Sequence, residues 1–215
     1  MSSLFYRVAK VVSVPVMHAL WRPRVVGMEH VPETGPAIIA ANHLSALDSF
    51  FLPALMPRPV TFVAKNEYFT GSPITRVIMS GNLAIDRDSA GAAQAMLDAA
   101  AGILNDGGLF GIYPEGTRSP DGRLYKGKIG VAWLTLTTGA PVLPVALAGT
   151  DKVLPPGASV PRVHRIDVTI GKPMTFEGDA AKARDRREVT DQIMDAIREL
   201  SGQEYVPSYA KRPNS

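Results

Sequence analysis

Four short apolar runs, separated by helical patterns, are the feature that most restricts the fold of this chain. Each run is five or six residues long, which suits a buried strand and is short for a core helix. The runs lie at residues 37–41, 60–64, 109–113 and 142–147. Helical patterns lie at residues 89–105, 127–138 and 182–200, and an alternating run at 163–170 predicts a later strand. Strands that alternate with helices indicate one α/β domain.

Three local details are predicted within these elements. Ser89 and Gly107 stand where the first helical pattern needs a cap and a stop. Val189, Ile193 and Ile197 fall on one face of the 182–200 helix, which is expected to pack on the core; Ala196 and Leu200 share that face. Pro144 indicates that the 142–147 run is not an ordinary central strand throughout, because proline lacks the backbone donor that a central strand uses.

Composition excludes several classes of protein. The chain has 215 residues, which suits a single core, and 46% of them are hydrophobic. It has no cysteine, so disulfides, thiolate metal sites and a cysteine nucleophile are excluded. The four histidines are scattered, which argues against a metal site. A net charge of +3 without a recognised nucleic-acid motif predicts no nucleic-acid partner.

The first 28 residues form a separate, basic and apolar segment. They contain four basic side chains and no acidic one, and their longest uncharged run, at 11–21, is eleven residues long. A bilayer-spanning helix needs about 20 apolar residues. As a helix the segment would place Phe5, Val8, Val12, Val16 and Ala19 on one side, although Pro15 should kink it. We predict an amphipathic helix at the membrane interface; a helix packed on the core and a cleaved signal are the alternatives.

These features divide the chain into three parts. We predict a membrane-associating segment at residues 1–28, one domain at 29–206 and a flexible polar tail at 207–215.

The first candidate site is the run from Ala41 to Asp48, directly after the 37–41 strand. On one continuous helix, His43 and Asp48 would point about 140° apart. If His43 instead ends the strand region and Asp48 begins the next helix, the carboxylate can bond one ring nitrogen and leave the other free to accept a proton. In isolation the spacing arises often by chance and favours a structural cap or a surface histidine.

The second candidate site is Tyr113-Pro114-Glu115-Gly116-Thr117-Arg118-Ser119, which follows another buried strand. Gly116 allows the backbone to approach a ligand, and Arg118 offers a planar fork for a phosphate. Lys126 and Lys128 come shortly before the next helix, whose free N–H groups also favour anions. The alternative is an ordinary turn in which Glu115 and Arg118 pair.

Two further runs add cations and an apolar wall. Gly81–Arg87 could present Arg87 to an anion, and Lys65 ends the 60–64 run as another strand-end cation. The run at 142–149 carries no chemistry of its own and is expected to be core or pocket wall.

The four runs, in this order, resemble the blocks of the bacterial 1-acylglycerol-3-phosphate acyltransferase family, within the glycerolipid acyltransferases. The resemblance spans residues 37–150, and Gly171-Lys172-Pro173 adds to it. Two positions depart from the family pattern: Ala84 stands where an aromatic is common, and Tyr113 replaces the usual Phe.

The resemblance implies an αβ fold with a mixed central sheet flanked by helices. It implies that His43 is a general base oriented by Asp48, and that Arg118, Glu115, Gly116 and Thr117 bind the acceptor phosphate. Arg87, Lys65 and Lys126 are expected to join that phosphate site. It also implies no metal, no cofactor and no acyl-enzyme.

The function expected from this resemblance is O-acyl transfer. The acyl group would pass from acyl-CoA or acyl-carrier protein to lysophosphatidic acid, on a protein attached peripherally or monotopically to the cytoplasmic face of the membrane. The alternatives are the same chemistry on glycerol-3-phosphate or another lysophospholipid, thioester hydrolysis, and a non-catalytic lipid-binding protein.

Overall fold

The computed structural model describes residues 14–65, 83–85, 91–155, 158 and 160–211. The strands are β1 Arg24–Val26, β2 Ala37–Ala41, β3 Val60–Lys65, β4 Leu83–Ile85, β5 Leu109–Ile112, β6 Leu124–Tyr125, β7 Val142–Ala148, β8 Asp167–Ile170 and β9 Tyr205–Val206. The helices are α1 over 14–21, α2 Asp48–Leu55, α3 Ala92–Asn105, α4 Gly130–Thr138, α5 Thr150–Val153 and α6 Ala183–Ser201, with a 3-10 turn at Met28–His30.

Seven of the described strands form one central sheet, in the order β1-β8-β7-β2-β5-β3-β4. β7, β2, β5, β3 and β4 run parallel, β8 is antiparallel to β7, and β1 is parallel to β8. The predicted α/β fold with a mixed central sheet is confirmed. Parallel strands end at the same edge, so the loops that follow β2, β3 and β5 all leave the sheet on one side.

The sheet is buried on both faces, which explains why its central strands are apolar runs rather than alternating ones. Ile38 and Ala40 of β2 belong to the core formed with α3, α4 and α6. Ile39 and Ala41 belong to the opposite core, which includes Leu52 of α2. Successive strand residues point to opposite faces, so one five-residue run supplies both layers.

Pro144 does not interrupt β7, so the expectation of an irregular strand is wrong. β7 runs unbroken from Val142 to Ala148 between β2 and β8. Pro144 turns its carbonyl towards Gly171, whose N–H donates to it at 2.8 Å. In an antiparallel ladder the N–H and C=O of a residue point the same way, so the donor that proline lacks faces the chain just past the end of β8. Pro144 therefore removes no hydrogen bond from the pairing of β7 with β2.

Other boundaries differ from the prediction by a few residues. β8 begins at Asp167 rather than 163, and α4 begins at Gly130 rather than 127. α3 begins at Ala92 after Gly91, while the predicted cap Ser89 lies outside the described residues. α6 buries Val189, Ile193 and Ile197, as its pattern predicts.

The two ends of the described chain pack against this domain. In α1, Met17 is buried with Phe51 of α2, and Val16 and Leu20 are exposed. None of the helices within the described ranges is long and apolar enough to span a bilayer. Near the other end, β9 pairs with β6, and Lys126 donates its N–H to the carbonyl of Ser208 at 3.0 Å, beyond the predicted start of the tail.

Gly111 of β5 provides a test of this packing. An added Cβ would lie 2.2 to 2.4 Å from the ring atoms of Phe62 on β3. We expect Gly111→Ala to lower the free energy of unfolding by about 1–3 kcal/mol through overpacking, measured by urea denaturation. Gly102 in α3 has no atom within 4 Å of its added Cβ, so Gly102→Ala should stabilise by about 0.5–1 kcal/mol. Equal effects of both substitutions would contradict this packing.

Candidate active site

The structure brings His43 and Asp48 into contact at the carboxyl end of β2. β2 ends at Ala41, the chain turns through residues 42–47, and Asp48 is the first residue of α2. Nδ1 of His43 lies 2.8 Å from Oδ2 of Asp48. The arrangement is the strand-end and helix-start geometry that allows these two side chains to meet.

The hydrogen bonds around Asp48 determine which nitrogen of His43 carries the proton. Oδ2 of Asp48 also accepts the backbone N–H groups of Leu44, at 2.7 Å, and Ser45, at 2.8 Å. Because this oxygen already accepts from two backbone donors, Nδ1 is the group that donates in the third bond. The neutral ring then keeps Nε2 as an acceptor, which is the state a general base needs.

The pair lies in a partly closed environment. Asp48 is fully buried, whereas the His43 side chain is 16% exposed. Oδ1 of Asp48 is also buried and has no hydrogen-bond partner among the described residues. The carboxylate is therefore held through a single oxygen, and only the histidine reaches the surface.

Tyr113 forms the wall behind the histidine. Its ring stacks on that of His43, with centroids 3.9 Å apart and 9° between the planes, and it also stacks with the ring of Phe62, with centroids 5.3 Å apart. Its hydroxyl lies 3.1 Å from Oγ of Ser49. Burial, followed by the charge of Asp48, raises the pKa of Tyr113 well above its usual value. The tyrosine therefore stays neutral and holds the imidazole plane, and its hydroxyl makes a bond to α2 that the usual Phe could not make.

Asn42 fixes the end of β2 to β7. Its Oδ1 accepts the N–H of Leu147 at 2.7 Å, and its Nδ2 donates to the carbonyl of Leu147 at 3.0 Å and to Gln203 at 2.8 Å. Asn42 is fully buried. The amide thus closes the ladder between two parallel strands just before the catalytic candidate.

Glu115 points inwards and does not pair with Arg118. Its Oε1 accepts the N–H of His43 at 3.2 Å, and its Oε2 accepts the N–H of Tyr125 at 2.9 Å. Burial raises its pKa to about 7, against the lowering effect of those two bonds. Glu115 therefore joins the first loop to β6, and its predicted role in binding the acceptor stays a prediction.

The Gly116–Arg118 loop lies against the histidine loop. Ser119 donates its N–H to the carbonyl of His43 at 2.7 Å, so Arg118 directly precedes the residue that contacts His43; Arg118 itself is exposed and Thr117 is half-buried. Gly116 has a φ of +73°, which glycine adopts without strain. A Cβ at this position would lie 2.9 Å from Nζ of Lys128, so the lysine side chain passes directly over the glycine.

The remaining predicted cations are placed differently. Nζ of Lys126 lies 5.8 Å from the ring centre of Tyr209, towards the C-terminal segment. The backbone of Lys65 ends β3, so it leaves the sheet at the same edge as His43. Arg87 lies outside the described residues. Lys128, rather than Lys126, is the lysine beside Gly116; both stand in the same run of sequence, and only the path of the chain distinguishes them.

The arrangement suits proton removal from a bound hydroxyl next to an anion. The residues that carry it all fall within the part of the chain that matches the acyltransferase family model, residues 22–148. This chain is a member of the acyltransferase family. The match covers more than half of the sequence and includes His43, Asp48 and the Glu115–Arg118 run.

Individual relatives support this family assignment. It is 32% identical over 162 residues to the chloroplastic 1-acyl-sn-glycerol-3-phosphate acyltransferase LPAT1 of Arabidopsis thaliana, covering 74% of this chain and 45% of the relative. It is 32% identical over 178 residues to the 1-acyl-sn-glycerol-3-phosphate acyltransferase of Pseudomonas aeruginosa, covering 77% and 67%.

A solved structure has the same fold. The crystal structure of the 1-acyl-sn-glycerophosphate (LPA) acyltransferase PlsC from Thermotoga maritima superposes with a TM-score of 0.71 at 25% identity. The superposition covers 90% of this chain and 78% of that one. The chain spans about half the length of several of the curated relatives that it matches, from 45% to 52%.

Glu115 gives this site a pH-dependent contribution to stability. Its folded pKa of about 7 lies above the ordinary 4.5, so folding favours the protonated form. The contribution is complete below the ordinary value and is lost as the pH rises through about 7. We expect the unfolding free energy of the wild type, minus that of Glu115→Gln, to fall by about 3 kcal/mol between acidic and mildly alkaline pH. Urea denaturation of both proteins measures it, and a constant difference would contradict it.

Proposed function

We propose that this protein transfers a fatty acyl group from a thioester to the free hydroxyl of lysophosphatidic acid, giving phosphatidic acid. The observation that carries the proposal is the bond between Nδ1 of His43 and the buried Asp48, which leaves Nε2 to act as a base. The relatives from Arabidopsis thaliana and Pseudomonas aeruginosa are 1-acyl-sn-glycerol-3-phosphate acyltransferases, which supports lysophosphatidic acid as the acceptor. Acyl-CoA and acyl-carrier protein are both proposed as donors.

The reaction follows from this half of a triad, with the alcohol supplied by the substrate. Nε2 of His43 takes the hydroxyl proton while the acceptor oxygen attacks the thioester carbonyl carbon. The C–S bond then breaks, the ester forms, and the imidazolium returns its proton to the departing thiolate. Neither a metal nor a cofactor is required, and no acyl group is attached to the protein.

The cations around the second loop are proposed to hold the acceptor. Arg118 directly precedes Ser119, whose N–H donates to the carbonyl of His43, and Lys128 passes over Gly116. A phosphate held here would keep its glycerol hydroxyl near Nε2, which raises the effective concentration of the acceptor. We propose that Thr117, Glu115, Lys65, Arg87 and Lys126 belong to the same acceptor region.

The lipid acceptor also bears on where the protein works. We propose that residues 1–28 attach it peripherally or monotopically to the cytoplasmic face of the membrane, where lysophospholipid and acyl donor meet. Exposed Val16 and Leu20 on α1 and the basic residues Arg22 and Arg24 support this attachment.

An acceptor screen tests the reaction and the base together. Purified protein and palmitoyl-CoA are mixed with lysophosphatidic acid, glycerol-3-phosphate, lysophosphatidylglycerol or no acceptor, and free thiol is followed. We expect release that depends on lysophosphatidic acid, and a loss of at least about 100-fold in His43→Ala because the general base is gone.

The matched control for this screen is His30→Ala, a histidine bonded to the carbonyl of Ile170 outside the site. Near-normal turnover in His43→Ala would contradict the mechanism. Thiol release with another acceptor would assign that compound as the substrate, and release without any acceptor would indicate a thioesterase.

Arg118→Ala tests the phosphate clamp. We expect the KM for lysophosphatidic acid to rise about 10- to 100-fold, the effect of losing one charged hydrogen bond, while the KM for the donor stays within about twofold. Steady-state kinetics with each substrate varied measures both. Arg123→Ala is the control, because Arg123 is a half-buried arginine of the same region and already pairs with Asp121 at 2.6 Å. A larger effect on the donor would overturn the assignment.

A further inference from the structure

The segment at residues 160–165 is apolar and basic at once. Val160 and Val163 are each 75% exposed, more than any other large hydrophobic side chain of the described residues. The exposed Arg162 and Arg165 alternate with them, and His164 is half-buried. Two exposed valines this close together form an apolar patch of the kind that a partner can cover.

This segment is held in place rather than hanging from the surface. The N–H of Arg162 donates to the carbonyl of Val153 at 2.7 Å, and the carbonyl of Arg162 accepts Nε1–H of Trp21 at 3.0 Å. The N–H of Ile166 donates to the carbonyl of Trp21 at 3.2 Å. Val160 and Val163 therefore lie within two residues of a bond to the end of α1.

The neighbouring part of α1 has the same character. Val16 and Leu20 stand one turn apart and are 49% and 40% exposed, and Arg22 and Arg24 follow. We call these residues together with the 160–165 segment the docking face; its members are Val16, Leu20, Arg22, Arg24, Val160, Arg162, Val163 and Arg165. Asp167 lies 3.4 Å from Arg165 and offsets its charge. The other three arginines give the docking face a positive charge.

The docking face is joined to the loop that carries His43. Ser45 donates its hydroxyl to the carbonyl of Leu154 at 3.4 Å, where the connection to residues 160–165 begins. At the other end, the ring of Trp21 packs edge-on against Phe51 at 5.2 Å, and Phe51 lies one turn after Asp48 on α2. The face and the catalytic pair therefore share their supporting elements.

We propose that the docking face rests on an anionic phospholipid bilayer, with residues 160–165 as a second point of membrane contact beside α1. Val160 and Val163 enter the boundary between headgroups and acyl chains, and the arginines lie among the lipid phosphates. The bilayer is the occupant that offers apolar depth and negative charge at the same place. The proposal rests on the proposed function in one respect, since a lipid acceptor is drawn from that bilayer.

Vesicle binding tests this surface with the full chain. Sedimentation is measured with vesicles of phosphatidylcholine alone and of phosphatidylcholine mixed with phosphatidylglycerol. We expect the double substitution Val160→Ser with Val163→Ser to bind the mixed vesicles at least about tenfold more weakly than the wild type. Val160→Leu with Val163→Leu should bind at least as tightly as the wild type. Tyr209→Ser, which alters a 53% exposed ring elsewhere, should bind like the wild type.

Three results would overturn the proposal. They are binding of the double serine variant within twofold of the wild type, an equal loss in Tyr209→Ser, and a wild-type dimer in light scattering that the double serine variant dissociates. The last result would assign the face to a second copy of this chain.

An activity assay separates this proposal from the proposed function. Acylation of a short-chain, water-soluble lysophosphatidic acid should be equal in the wild type and the double serine variant, while acylation of vesicle-embedded acceptor falls at least about tenfold. If no acceptor is acylated by any protein, the proposed function fails, and the vesicle-binding result still decides the docking face.

Discussion

The rest of the site depends on one buried carboxylate oxygen, Oδ2 of Asp48. It accepts the N–H groups of Leu44 and Ser45 and the Nδ1–H of His43 at 2.7 to 2.8 Å. Asp48 is also the first residue of α2, where free N–H groups favour a negative charge. One oxygen thus holds the loop after β2 in place, begins the helix and sets the tautomer of His43. In the proposed acyl transfer the substrate would supply the alcohol, so this pair is the part of a triad that the protein provides.

A second carboxylate, that of Glu115, stabilises the backbone around His43 from the neighbouring loop. It connects the backbone of His43 to that of Tyr125, and Ser119 adds a bond to the carbonyl of His43. The loops after β2 and β5 are therefore one unit, placed side by side because these strands are adjacent and parallel. At Glu115 burial outweighs the two N–H bonds and raises the pKa to about 7, whereas Asp48 holds the imidazole of His43, so the two carboxylates have different roles.

Much of the fold follows from local pattern. The run at 37–41 becomes a strand with those bounds because five apolar residues between turns can be buried on both faces. The helix at 183–201 follows from the spacing of Val189, Ile193 and Ile197. The prediction from Pro144 is wrong because the effect of a missing backbone N–H depends on which strand it faces. In β7 it faces the β8 side, and the local sequence does not specify that neighbour. The same limit applies to Lys126 and Lys128, two residues apart, of which only Lys128 crosses Gly116.

The sequence by itself determined the α/β class, the position of His43 and Asp48 directly after a buried strand, and the chemical character of the 113–119 loop. These are consequences of residue type and spacing within one element and the turn after it. Tertiary structure decided that Glu115 supports the backbone of His43, that Tyr113 stacks on its ring, and that residues 160–165 join α1 through Trp21. Those contacts join residues from 70 to 141 positions apart, and nothing local encodes them, because the order of the strands in the sheet sets which loops meet.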